Sequence, residues 1–374
     1  MSDTGPAVMD IRTHAASHPD RTAIVCGERR MNYGELDALA NRLANVLRGM
    51  GLQRGDHVAT LLGNGPEALA LAWAGWRCGV YLTPMATSLV GGELAYLVRD
   101  SDARVVLAEA ALGAQAAALP PLCGADVTWL SLGGSIAGFR PLEPLLQAAS
   151  PLPHAHEPPG ALMLYTSGTT GAPKGVWRPL LPADFKGTPP FAGDLAEQFD
   201  FTGPDLRYLS PAPLYHAAPL RFSLAVTAAG GTVFVMPRFD AEQALQLLER
   251  ERITHSQWVP AMLQRLLELP EARRAAFKAP AHRMAIHAAA PCPPPLKRRM
   301  IDWWGPILME YYAGSEGVGM TKLDSADWLR HPGSVGRVAR GVLHIVGDDG
   351  QELPPDQTGL ICFSGLPPFQ YHKA

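Results

Sequence analysis

Residues 161–176 read ALMLYTSGTTGAPKGV. Four apolar residues, Ala161 to Leu164, run directly into a segment rich in glycine and hydroxyls that closes on a lysine. The glycines are Gly168, Gly171 and Gly175; the hydroxyls are Thr166, Ser167, Thr169 and Thr170; the lysine is Lys174. A short buried strand that spills into such a loop is suited to holding phosphate. Glycine lets the backbone approach an anion closely and adopt positive φ. Hydroxyls donate hydrogen bonds, and lysine adds positive charge. The spacing is not that of a Walker A loop, because no Ser or Thr follows the lysine. The competing reading is a flexible Gly/Ser/Thr surface loop, which the leading strand and the terminal lysine disfavour.

Outward from this stretch, helix and strand patterns alternate. Leu36, Leu39, Leu43, Val46, Leu47 and Met50 recur at helical spacing, with Asn32 placed to cap and Gly51 to stop the helix. Residues 57–62, 80–83 and 104–108 read as strands, and Pro66 suits the first turn of a helix. A Pro-rich linker, PLPHAHEPPG at 151–160, leads into the phosphate-loop strand. Further on, 232–236, 253–259, 284–287 and 307–311 read as strands, with Asp240 and Pro260 opening helices. Repeated βαβ units imply mainly parallel sheets covered by helices. The expectation is an α/β protein of two stacked subdomains over 1–330. A smaller β-rich subdomain is expected over 331–374, where 342–346 and 360–363 flank turn residues.

Composition narrows the function classes. Net charge is −3, with 32 Lys+Arg against 35 Asp+Glu and no basic run, which argues against nucleic acid as the main partner. Five cysteines are scattered without C-x-x-C spacing, which gives no disulfide or zinc framework and fits a reducing cytoplasm. The N-terminal residues lack signal-peptide character, and the longest apolar run, 68–76, is too short to span a bilayer.

The string TSGTTGAPKG resembles the phosphate loop of the adenylate-forming enzymes, the superfamily of acyl-CoA synthetases, aryl-CoA ligases and peptide-synthetase adenylation domains. Three other segments carry the same resemblance. In PLYHAAPL, residues 213–220, the resemblance makes Tyr215 and His216 an acyl-pocket wall, against a plain core or capping histidine. AAAPC, residues 288–292, resembles the adenine-contacting string, which implicates Ala289, Ala290 and Pro291. Ala288 stands where glycine is common, which would narrow the acyl pocket. In EYYAGSEGVGMT, residues 310–321, Tyr312 would stack on adenine. Ser315 would donate to the α-phosphate, and Glu316 would hold Mg2+. A surface Gly-Ser-Glu-Gly turn is the alternative. Ala313, Val318 and Met320 join Tyr215, His216 and Ala288 as candidate substrate contacts. HPGSVGRV and the segment 348–365 resemble structural parts of the family. Trp177-Arg178 departs from the Thr/Ser-His pair that many relatives have after the phosphate loop.

The resemblance covers the chain from about residue 18 to its end, and is strongest to bacterial acyl-CoA synthetases. It implies activation of an apolar fatty or aromatic carboxylic acid by ATP through acyl-AMP, then thioester formation with CoA. Thr166, Ser167, Gly168, Thr169, Thr170, Gly171 and Lys174 would cradle the phosphates. Lys174, Thr170, His216 and Glu316 would carry the chemistry. The family continues past a segment like PPFQYHKA, residues 367–374, into a mobile C-terminal domain with a further catalytic lysine. A chain ending here is therefore expected to be impaired alone. Two other readings stand beside it: a nucleotide- or acyl-binding module without a full catalytic cycle, and an adenylating enzyme that loads a carrier protein.

Overall fold

The computed structural model describes residues 9–166, 171–203 and 205–373. Contacts divide them into two compact units: one runs up to Arg238 and takes back the chain from Gln370, and the other is Phe239–Phe369. The expected boundary at 330/331 is not where the chain divides. The strand Arg337–Arg340 hydrogen-bonds to Met320–Asp324, which continues the second unit's main sheet.

The first unit holds a six-stranded sheet that is parallel throughout. Its order is Arg140–Pro141, Thr128–Leu132, Ala103–Glu109, His57–Leu61, Tyr81–Pro84, Ala161–Leu162. The central strand His57–Leu61 is buried along its whole length, as a strand covered on both faces must be. A second set of strands, Arg207–Ser210, Thr232–Val235 and Thr22–Cys26, is parallel, with Arg29–Asn32 added antiparallel at the edge. Helices Tyr33–Gly49, Pro66–Cys78 and Ala217–Ala228 cover these sheets. Asn32 caps the first of them through a full capping box with Glu35, worth roughly 1 kcal/mol. Pro66 opens the second. The two are joined by Arg77, which is 2% exposed and pairs with Asp37 at 2.6 Å and Asp10 at 3.4 Å.

The second unit is built on three parallel strands, His255–Trp258, Met284–His287 and Leu308–Ala313. Met320–Asp324 and Arg337–Arg340 extend them antiparallel, so this sheet is mixed rather than parallel to its edge. Val342–Val346 and Leu360–Ser364 form the expected separate hairpin. All five cysteines are free, and among the described residues no helix is long and apolar enough to cross a membrane.

One close approach sets where the phosphate-loop strand starts. Gly160 donates to Trp76 O at 2.8 Å, and Ala161 then joins the sheet edge by donating to Val80 O. A Cβ at Gly160 would lie 2.2 Å from Gly75 O and 2.4 Å from Val80 O, both backbone atoms that cannot swing aside. Gly160→Ala is therefore expected to destabilise the protein by about 2 kcal/mol or more, the cost of forcing backbone apart in a packed site. Urea unfolding checks it; a midpoint equal to that of the unaltered chain would refute the account.

Candidate functional site

The phosphate-loop strand does not lead into a helix. Ala161–Leu162 closes the parallel sheet, and Leu164–Thr166 then pairs antiparallel with Lys174–Trp177. The stretch is thus a β-hairpin, in register Thr166 opposite Lys174, Tyr165 opposite Gly175 and Leu164 opposite Val176. Gln370–Tyr371 adds a third strand against Val176 and Trp177. Ser167, Gly168, Thr169 and Thr170 lie outside the described residues. Lys174 is exposed on the returning strand, its ammonium 5.2 Å from the Tyr371 ring centre, within cation–π range. Gly175 serves otherwise than expected. It sits in the strand, and its missing Cβ makes room for the Tyr165 ring, which would lie 3.1 Å from it. The Tyr165 hydroxyl donates to Asp100 Oδ2 at 2.6 Å. Burial and the Asp100 carboxylate hold that phenol above its ordinary pKa. Trp177 packs toward the Tyr81 ring at 6.2 Å.

Tyr215 and His216 stand between the strand Arg207–Ser210 and the helix Ala217–Ala228. His216 occupies the N-cap position, but its side chain makes no capping bond. Its ring meets Tyr215 edge-on at 4.6 Å, while the residue as a whole keeps an exposed side. Desolvation by its crowded surroundings lowers its pKa, so the imidazole is neutral near pH 7. Tyr215 lines a small apolar recess with Leu62, Leu82, Met85, Leu214 and Leu220. Asn64 fixes this loop. It donates to Ala212 O at 3.1 Å and Met236 O at 2.8 Å, and accepts from Leu214 N at 2.8 Å. In sequence Asn64 reads only as part of an Asn-Gly-Pro turn; nothing local marks its long-range bonds.

In the second unit, parallel pairing sets His287 opposite Glu310. Residues 288–291 therefore leave the sheet beside the last residues of the neighbouring strand, Tyr311–Ala313, which stay paired with Met320–Lys322 before the chain turns at 314–317. Ala288 is buried, whereas Ala289, Ala290 and Pro291 are exposed. Ala289 has φ +76°, a left-handed conformation that costs a non-glycine residue roughly 1 kcal/mol or more and that concentrates at functional sites. Tyr312 is 43% exposed, a large aromatic face left open at the same edge. Ser315, Glu316 and Val318 are half-buried in the turn that follows, where Gly317 N donates to Gly314 O at 3.0 Å. Ala313 pairs with Met320, which is 8% exposed and so presents little surface.

Beneath this edge lies a buried charge pair that the sequence does not announce. Lys297, on the helix Pro294–Trp304, is fully buried and meets Glu310 at 2.5 Å. Its Nζ also lies 5.2 Å from the Trp328 ring. Lys297-Arg298-Arg299 reads as a solvated helix face, and only the fold turns the first of the three inward. His287 sits beside the pair with neither ring nitrogen hydrogen-bonded. Burial and Lys297 push its pKa down to about 3, so its 3.8 Å approach to Glu310 is not an ion pair. The same burial raises the Cys292 thiol to about 11, which makes it a poor nucleophile at neutral pH.

An open aromatic face, a strained small-residue turn and a half-buried carboxylate share one edge of the second unit, and a glycine- and hydroxyl-rich hairpin with an exposed lysine stands in the first. The sequence pattern of the AMP-binding enzymes matches residues 11–369. The chain belongs to that family, the adenylate-forming superfamily. Among its relatives is an indoleacetate–CoA ligase of Aromatoleum aromaticum, 33% identical over 95% of this chain and 69% of the relative. Another is the long-chain-fatty-acid–CoA ligase FadD13 of Mycobacterium tuberculosis, 32% identical over 86% of this chain and 62% of the relative. The chain thus spans about two thirds of the length of these CoA ligases. Its fold matches the inhibitor-bound N-terminal domain of FACL13 from Mycobacterium tuberculosis, with a TM-score of 0.77 and 30% identity over 92% of this chain and 85% of that one.

The buried histidines of this family member are expected to make it sensitive to acid. His282 and His287 have pKa values of about 3, and His57 about 4, each through desolvation first. The unfolded histidines titrate near 6.5. Between pH 6.5 and about 4 the unfolded chain therefore binds more protons, and stability falls as pH falls. The expected loss is roughly 1 kcal/mol per pH unit per histidine. Urea unfolding at pH 7.5, 6 and 5 measures it. His287→Leu should flatten the dependence by about one histidine's share; an unchanged slope would place its folded-state pKa near normal.

Proposed function

We propose that this protein activates an apolar fatty or aromatic carboxylic acid with ATP and passes the acyl group to CoA. The observation that carries the reading is the register of His287 with Glu310, which runs the 288–291 turn and the Tyr312–Glu316 segment out along one sheet edge. That edge offers a flat backbone surface and an aromatic face to a purine. Ser315 would donate to the α-phosphate. Lys174 and the hairpin would neutralise the β- and γ-phosphates.

In the first step a carboxylate oxygen attacks the α-phosphorus, and the bond to pyrophosphate breaks with its electron pair on the leaving group. Charge grows on the phosphoryl and leaving oxygens, so positioned cations and donors supply most of the acceleration. In the second step the CoA sulfur attacks the acyl carbon, AMP leaves with the C–O electron pair, and the thiol proton passes to solvent. The neutral imidazole of His216 and the Tyr215 ring would line the acid's apolar portion.

Mg2+ fits the residues in a limited way. Among the described residues no group of three or more His, Cys, Asp or Glu could hold a metal. Magnesium on a nucleotide needs only one or two protein carboxylates, the rest of its shell coming from phosphate oxygens and water. Glu316 is the residue that would supply one, and the ion would offset phosphate charge.

The acceptor has a second reading. One relative is ScoC of Streptomyces coeruleorubidus, a fatty acid–[acyl-carrier-protein] ligase, at 27% identity. With the CoA reading we also propose a cytoplasmic place in fatty-acid metabolism.

Acid-dependent exchange of pyrophosphate into ATP by the full-length protein tests the first step over a panel of aliphatic and aryl acids. Lys174→Ala and Glu316→Ala should each lower exchange by about a hundredfold, the scale of losing one charged contact to a transition state. Full exchange in Glu316→Ala would remove its metal role. No exchange with any acid would leave the nucleotide-binding reading. Competition between CoA and carrier protein for the acyl-AMP decides the acceptor.

A further inference from the structure

The helix Gly91–Asp100 ends beside the phosphate hairpin and grips it from three directions. The Tyr96 hydroxyl donates to Pro173 O at 2.9 Å, the carbonyl just before Lys174. Asp100 accepts from the Tyr165 hydroxyl on the outgoing strand at 2.6 Å. Asp102, two residues on, accepts from Lys373 Nζ at 2.6 Å and from His372 Nε2 at 3.0 Å. Lys373 also donates to Arg99 O at 3.1 Å. His372 N in turn donates to Gly175 O at 2.8 Å, while Gln370 and Tyr371 pair with Trp177 and Val176. The helix end thereby holds the entering strand, the carbonyl before the lysine, and the third strand that backs the returning one.

Two features of this helix end work against stability. Carboxylates are unfavourable at a helix C-terminus, where unsatisfied carbonyls already carry negative charge. Asp102 also takes φ +52°, a region costly for a side-chain-bearing residue. Its ion pair with Lys373 is solvent-exposed, at 53% and 44%, and such pairs contribute little to folding. The Asp102 carboxyl is pushed up by partial burial, but the bonds from Lys373 and His372 outweigh this and hold it below its usual value. What the arrangement achieves is placement: the contacts end on Tyr165, on Pro173 next to Lys174, and on His372 and Lys373, which directly follow Tyr371, whose ring underlies the Lys174 ammonium.

We propose that the carboxyl end of this helix is a clamp for the phosphate hairpin, with Tyr96, Asp100 and Asp102 as positioning residues that set Lys174 against the β- and γ-phosphates of ATP. This rests on the hairpin's assignment to phosphate. The three residues would act through the hairpin rather than on the nucleotide itself. Their effect should be specific to the phosphates that AMP lacks.

Equilibrium binding of MgATP and of AMP to the 374-residue chain tests this, together with amide exchange over residues 174–177. Tyr96→Phe removes one hydroxyl, and Asp102→Asn removes the charge. Each should raise the Kd for MgATP about three- to tenfold, the scale of one hydrogen bond, and leave AMP within about twofold. Exchange at 174–177 should accelerate in Asp102→Asn, and Asp102→Glu should recover both readouts. Equal losses for MgATP and AMP, or unmoved exchange, would overturn the clamp. Should Asp102→Asn fail to fold, Tyr96→Phe still decides. If the unaltered chain bound neither nucleotide, the adenylation reading would fall, and exchange alone would then show whether the helix end holds the hairpin.

Discussion

Parallel pairing forces every strand of a sheet to finish on one edge. Neither the hairpin nor the 288–291 turn would be where it is without that constraint. In the first unit six parallel strands deliver Ala161–Leu162 beside Tyr81–Pro84, and the hairpin begins from there. In the second, Met284–His287 and Leu308–Ala313 run in step, so that two short segments far apart in sequence emerge next to each other. Individual site residues are small or unremarkable in type: alanines, a serine, one tyrosine, one glutamate. The sheet register gives them a common address.

Much of this was legible in the sequence, for physical reasons. Buried parallel strands are mostly apolar, though His255–Trp258 is buried with three polar residues, and helices show their caps and periodicity. Asn32, Pro66, Asp240 and Pro260 each mark a helix start within a residue. The long motifs around Lys174 and Glu316 gave the family, because a string of that length seldom arises by packing alone. What stayed hidden was non-local. Whether Lys174 sits in a loop or on a strand depends on pairing with Thr166 and Val176 with Tyr371, and the latter partner lies almost two hundred positions away. Lys297 looks like its solvated neighbours until the helix packs. The texture change near residue 330 is likewise local: Arg337–Arg340, beyond it, pairs back onto Met320–Asp324.

The second unit also shows how a site is stiffened from below. A lysine and a glutamate taken out of water together cost desolvation that only close contact offsets. Here that contact lies directly under the edge where Tyr312 emerges, two residues beyond Glu310. A neutral, unbonded His287 and a protonated Cys292 fill the remaining space without adding charge. Small-residue turns above such a base can hold an unfavourable φ at Ala289, because the strand beneath is not free to relax it.

The antiparallel register of the hairpin reaches further than its hydrogen bonds. Strand side chains alternate between faces with a period of two. Thr166 opposite Lys174 therefore puts these two side chains on one face of the hairpin, and the Tyr165–Gly175 pair on the other. A slip of one residue between the two strands would turn Lys174 to the opposite face and move Gly175 from beneath the Tyr165 ring, even with every chemical group retained. The motif therefore works through its register as much as through its composition.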